Sequence, residues 1–317
     1  MTNRNPQHGG FSCVIKGMSD VGASGQSVAV AGGRNGTGQP PEDPSLGARP
    51  VGLGAKPIVS AGGKVAWLVG EVGAIFSMGL EAMRLGFREG FPVGEFVDQS
   101  WFLARVTTLG CILISVPFGM IIALEVGSLL LQVGAQAQLG AIMVLATVRE
   151  QAPLATALLI AGAGGSAMTA DLGSRVIRDE ISAMQVMGIN PLQRLVLPRL
   201  AAASVMAVIL DGVVAISGIL GGLFFAEHSL GISSASFFAT FSDLSQIADL
   251  VMSLVKAAIF GLLTAMVACY KGLNAKGGSK GVGDAVNQAV VISFVLAFAV
   301  DFVLTSFYFN FIPQKVI

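Results

Sequence analysis

The chain has 317 residues, 53% of them hydrophobic and only 12% charged, with a mean hydropathy of +0.75, a composition that excludes an ordinary soluble domain and belongs to multispanning membrane proteins. Its 19 Lys and Arg balance 19 Asp and Glu, so there is no bulk attraction to nucleic acid and charge has to be read locally. Cys13, Cys111 and Cys269 lie far apart, which offers neither metal-ligand spacing nor a disulfide framework.

Residues 1–63 are rich in Gly, Pro, Ser and Ala without a sustained period and read as a flexible tail. No positively charged start leads into an apolar block with a small-residue cleavage site, so the tail does not read as a secretory signal. From Lys64 to Gly90, Val65, Leu68, Val72, Phe76, Leu80, Met83 and Phe87 advance by three or four while Glu71, Glu81, Arg84 and Arg88 gather elsewhere. That is an amphipathic helix lying along a membrane, and residues 64–100 form this helix and its connection.

The transmembrane part is predicted over 101–317, with a first span from Trp101 to about Val133, bent at Pro117 and Gly119. A second span follows at Pro153–Leu172 with the small-residue run Gly162 to Ala167, and a third at Val196–Phe225 with GxxxG spacing at Gly218 and Gly222. Residues 227–249 read as a loop, Leu250–Tyr270 as the fourth span, and Ala285–Phe311 as the fifth.

Between the second and third spans, Arg175 to Arg199 carries charges too costly for hydrocarbon, so this stretch emerges from the membrane. Ile177, Ile181, Met184 and Met187 recur at helical spacing while Arg178, Asp179, Ser182 and Gln185 fall on other faces. Gly188 and Asn190-Pro191 stop the helix. The spacing predicts one amphipathic helix over 175–188, about 20 Å long, which either lies in the interface or docks in a partner's groove. Basic residues in 175–199 and 271–280, against none in 132–140 and 227–249, place the N-terminus in the cytoplasm and the C-terminus outside.

No enzyme signature emerges. Gly62-Gly63-Lys64 lacks the glycine at position 58 and the Ser or Thr at 65 that a Walker A loop needs, and His8 and His228 do not suggest a metal or triad site. The better lead is ionisable residues inside spans, which face a cavity or a partner. Lys256 lies near the outer end of the fourth span and Asp301 roughly a dozen residues short of the end of the fifth; the long Lys side chain can bring them together, which predicts an intramembrane ion pair with folding as its simplest role. Arg149-Glu150 marks the outer entrance to the second span, where a cation would attract an anionic headgroup. Glu125 faces the assembly's interior, lining a lipid path or bonding an adjacent helix.

Five passages then resemble the MlaE/YrbE family of ABC transporter permeases: Arg149 to Pro153, AGAGGSAMTADLG at 161–173, IRDEISAMQVMGINPLQRLVLPR at 177–199, KGGSKGVGDAVNQAVV at 276–291, and Asp301 to Thr305. The resemblance implies an all-α membrane protein in the plasma (inner) membrane with an interfacial helix, five transmembrane helices and a cytoplasmic coupling helix. It implies no catalysis or cofactor on this chain, with ATP and Mg bound by a separate ATPase dimer. Arg175, Arg178, Asp179, Glu180, Ser182, Met184, Gln185 and Met187 then become coupling residues. Glu125, Arg149 and Glu150 become lipid-cavity candidates, and Lys256 and Asp301 match charged positions of the last two spans. MCE-domain proteins would stand on the outer side, with fatty acids, mycolic acids or related lipids as cargo. A membrane scaffold that anchors an MCE-type assembly without transporting is the alternative. Ala163 stands where many members have Arg; with the IRDEI helix and long tail, this is closer to actinobacterial YrbE chains of mammalian-cell-entry (Mce) systems, of the A type. Those chains pair with a second, different YrbE, so a heterodimer is expected.

Overall fold

The structure, a computed structural model, describes residues 63–89 and 91–311. Apart from Gly63, the tail predicted at 1–63 lies outside them, as do residues 312–317. Helix α1 (Gly63–Glu89) is followed by α2 (Val93–Gln132). A continuous helical run over Gln136–Ile177 contains α3 (Leu139–Met143), α4 (Ala152–Leu159) and α5 (Ser166–Ile177), joined by π-helical stretches at Val144–Gln151 and Ile160–Gly165. After α6 (Glu180–Val186) come α7 (Leu197–Ser229), α8 (Ser234–Leu244), α9 (Ile247–Leu273) and α10 (Gly278–Phe311). Among the described residues there is no strand, and five helical runs are long and apolar enough to cross a membrane. The fold is that of an all-α membrane protein.

Several boundaries differ from the sequence reading, each for a physical reason. The first span starts at Val93 rather than Trp101, so no separate connection fills 91–100. Glu95 and Asp98 argue against a span when read as charges in hydrocarbon, but Glu95 lies in the first turn of α2, where an acidic group is favourable, and it also meets Arg194 at 3.5 Å. The second span begins at Gln136, which puts Arg149-Glu150 well inside the helical run instead of at its mouth. The predicted loop at 227–249 contains α8, capped by Ser233, and Asp249 lies in the first turn of α9.

The 175–188 helix is broken. Arg175 lies in the last turn of the second span, which ends at Ile177, Asp179 takes a left-handed φ of 57°, and α6 is only seven residues long, about 10 Å rather than 20 Å. Its end follows the Schellman pattern, with Ile189 N donating to Met184 O and Gly188 N to Gln185 O, at a Gly188 φ of 77°. Asn190 Oδ1 then accepts from Leu192 N, opening the third span.

α2 and α7 form the central contact. The buried residues of α2 are Leu103, Thr107, Cys111, Ser115, Gly119, Ala123 and Gly127, every fourth residue and mostly small. Such a stripe brings backbones close: a Cβ on Gly119 would strike the Gly218 carbonyl oxygen, and one on Gly221 the Val116 carbonyl oxygen. Ser115 Oγ uses the proximity to donate to Val214 O at 2.6 Å. Pro117 sits within this continuous helix.

α1 docks by Ile75, Met78 and Ala82, whereas Phe76, Leu80 and Met83 of the predicted apolar stripe remain exposed. The exposed apolar residues stand beside exposed Glu81 and Arg84. Glu71, read as part of the charged face, lies one turn from Ile75 on the docked side and is satisfied by Lys271.

Candidate functional site

The π-helical stretch Val144–Gln151 carries Arg149 and Glu150 toward α9 and α10. Wider π turns are rare and recur at functional sites, because they re-aim side chains without ending the helix. Arg149 Nε lies 2.6 Å from Asp249 Oδ1, and its guanidinium carbon is 5.2 Å from the Tyr308 ring centre and 6.0 Å from that of Phe309. The Tyr308 hydroxyl donates to the same Asp249 oxygen, while Asp249 Oδ2 accepts from Gln246 N at 3.1 Å in the capping box of α9. Asp249 therefore holds spans two, four and five together.

One face of α9 continues the polar line. Ser253 Oγ shares a hydrogen bond with Asp211 Oδ2 of α7 at 2.7 Å. Lys256 Nζ stands 2.9 Å from Asp301 Oδ1, 2.6 Å from Thr305 Oγ1, 3.2 Å from the Arg149 carbonyl oxygen and 3.3 Å from the Glu150 carboxylate. Thr305 Oγ1 also donates to Glu150 Oε1 at 3.3 Å. Lys256 is 2% exposed at its side chain and Asp301 11%, but Glu150 is 40% exposed, so the cluster opens to its surroundings on the Glu150 side.

The structure thus joins two sets of candidates that the sequence reading kept apart, Arg149-Glu150 and Lys256-Asp301. Glu125 is exposed on α2 and takes no part in the cluster. Sequence reasoning missed Asp249, Ser253, Thr305 and Tyr308. The signal available was Asp249, Ser253 and Lys256 at helical spacing in an otherwise apolar run. The free space among Arg149, Glu150, Lys256, Thr305 and Tyr308 is about 10 Å³, room for one water and not for a lipid headgroup.

At the α6 end, Asp171 of α5 binds Arg199 of α7, and Arg175 Nε approaches Asp171 at 3.2 Å. Arg199 is 3% exposed and also donates to Leu195 O at 2.7 Å, which roots the loop between spans two and three in the bundle. Arg178 pairs with Glu180 at 2.8 Å, and Arg175 reaches Glu180 at 3.9 Å. These more exposed pairs shape the loop and add little stability. Ile181 and Met184 pack on the bundle core, while Ser182 and Gln185 face outward. Val186 and Met187 are 89% and 67% exposed. Of the predicted stripe, then, Ile181 and Met184 are seated and Met187 is free. A separate cavity of about 440 Å³ lies between α1, α9 and α10, lined by the Glu71–Lys271 pair together with Lys276, Asp284 and Gln288.

Residues 96–307, from the first turn of α2 to near the end of α10, match the family described as Permease MlaE. A probable ABC transporter permease of Synechocystis is 33% identical over 59% of this chain and 71% of its own length. The intermembrane phospholipid transport system permease protein MlaE of Haemophilus influenzae is 29% identical over 70% of this chain and 85% of its own length. The chloroplastic protein trigalactosyldiacylglycerol 1 of Arabidopsis thaliana is 30% identical over 63% of this chain and 57% of its own length.

Proposed function

Because this chain belongs to the MlaE permease family, we propose that it is the membrane subunit of an ATP-driven transporter that moves lipids through the cell envelope. The α6 end faces the cytoplasm and seats in the groove of a separate ABC ATPase, which binds ATP and Mg; this chain binds no nucleotide. The observation that carries the reading is α6 itself. It is a short helix seated on the bundle core by Ile181 and Met184, between two spans that Asp171 and Arg199 tie together, yet it leaves Val186 and the adjoining Met187 uncovered. An exposed apolar knob on a rooted helix suits a partner groove and transmits its movement to both spans.

The lipid site is the Arg149, Glu150, Lys256 and Asp301 cluster, reached when spans two, four and five separate and release Arg149 and Lys256 to an anionic headgroup. The Haemophilus relative is named for phospholipids; for this chain the cargo class is phospholipids, fatty acids or mycolic acids, all of which carry an anionic phosphate or carboxylate and acyl chains. Ala163, the IRDEI passage and the long N-terminal stretch favour an actinobacterial A-type YrbE chain paired with a second YrbE, with MCE-domain proteins on the outer face.

The test is co-purification and lipid-stimulated ATP hydrolysis with the ATPase subunit after Val186→Asp and Met187→Asp. Loss of both is expected, and retained association would remove the docking claim. The small space of about 10 Å³ at Arg149 favours one rival, a scaffold that anchors an outer assembly without moving lipid. It predicts full activity per assembled complex after Arg149→Leu, whereas the transporter reading predicts loss of lipid uptake per assembled complex.

A further inference from the structure

Asp211 is used by neither the ion-pair cluster nor the α6 loop. It lies on α7 and is 1% exposed; Oδ2 meets Ser253 Oγ at 2.7 Å, and Oδ1 is buried with no hydrogen-bond partner. Among the described residues no basic side chain pairs with it. The nearest cation along α9, Lys256, is occupied by Glu150, Asp301, Thr305 and the Arg149 carbonyl oxygen. The other cation, Arg149, is held by Asp249. From α10 the polar groups of this region are Asp301, Thr305 and Tyr308, each already engaged. The adjoining α4 presents no titratable group, and α2 contributes the Cys111 thiol within the apolar cluster of Leu210 and Val214.

Along this face the protein therefore sets two cations, Arg149 and Lys256, against four carboxylates, Glu150, Asp211, Asp249 and Asp301. Three of the carboxylates share the two cations, and Asp211 is left over. An ionised Asp211 would be a buried charge with one oxygen unsolvated, the costliest arrangement available to it. A carboxylic acid protonated on Oδ2 donates to Ser253 Oγ and leaves only a neutral carbonyl oxygen without a partner, a much smaller penalty.

We infer that Asp211 is a proton-binding site, a neutral carboxylic acid held between spans three and four. Its proton leaves Oδ2 for water only when water or a cation reaches Oδ1. Ionisation of Asp211 is thereby tied to opening of the α7–α9 contact. This holds whatever lipid the chain carries.

The test is infrared spectroscopy of the purified full-length complex in lipid nanodiscs at neutral pH, with aspartate carboxyl carbons isotopically labelled. A protonated-carboxyl stretch that shifts with the label is expected, lost in Asp211→Asn and retained in Asp301→Asn and Glu150→Gln. Where Asp211→Asn does not assemble, Asp211→Glu serves, because it moves the band out of the labelled set. Absence of a labelled band from the wild-type protein overturns the proposal, as does a band that survives both Asp211 substitutions.

Discussion

The Lys256 ammonium lies 2.9 Å from the Asp301 carboxylate, joining α9 to α10 where both side chains are nearly closed to their surroundings. Removing Lys256 strands the Asp301 charge in a low-dielectric site, so Lys256→Met is expected to lower stability by about 3–5 kcal/mol. Asp301→Asn should cost less, because Glu150, Thr305 and the Arg149 carbonyl oxygen still hold Lys256. The double substitution should cost less than the sum of the two. Thermal unfolding of the solubilised chain measures this as a double-mutant cycle, and additive losses would falsify the pairing.

The Arg149–Asp249–Tyr308 group separates two kinds of contact. Tyr308→Phe keeps the ring beneath the Arg149 guanidinium but removes the hydroxyl hydrogen bond to Asp249, a loss of about 1.5–3 kcal/mol for a bond to a charged group. Arg149→Leu leaves Asp249 without its cation and should destabilise the chain more. If the two variants melted together, the Arg149 cation would add no more to Asp249 than the Tyr308 hydroxyl does.

The α2–α7 crossing predicts which glycines are replaceable. Gly119→Val and Gly221→Val place branched side chains against backbone carbonyls and should prevent assembly of the bundle. Gly212 on the same α7 has open space around its Cα, so Gly212→Ala should raise stability by up to about 1 kcal/mol through helix propensity. Expression level and melting temperature of the three variants check the contrast.

The number of spans is legible in the sequence because apolar length alone determines it, and the interruption at Arg175 to Arg199 is legible because charge cannot stay in hydrocarbon. Lys256 and Asp301 can be matched by counting residues from the span ends. The stripe of Thr107, Cys111, Ser115, Gly119 and Ala123 is harder to see. α2 is apolar all round, and a four-residue repeat of small residues does not register as an amphipathic pattern. The meeting of Glu150 with Lys256 depends on the π-helical turns at Val144–Gln151, which no Pro or Gly announces. Asp249 and Tyr308 escape notice because one looks like a loop residue and the other like an interfacial aromatic.

Asp179 provides the last prediction, and it reassigns a residue that the sequence offers as a charged contact. Its φ of 57° makes the sharp turn from α5 into α6, and its side chain forms no cap bond. Conformation and charge therefore predict opposite results. Asn and Gly tolerate left-handed backbone, so Asp179→Asn and Asp179→Gly should keep ATPase association, and Gly should relieve about 1 kcal/mol of strain. Asp179→Val is β-branched and should misdirect α6, weakening association although the charge lost is the same as in Asn. Loss of association in both Asn and Gly would instead assign Asp179 a direct electrostatic contact with the partner.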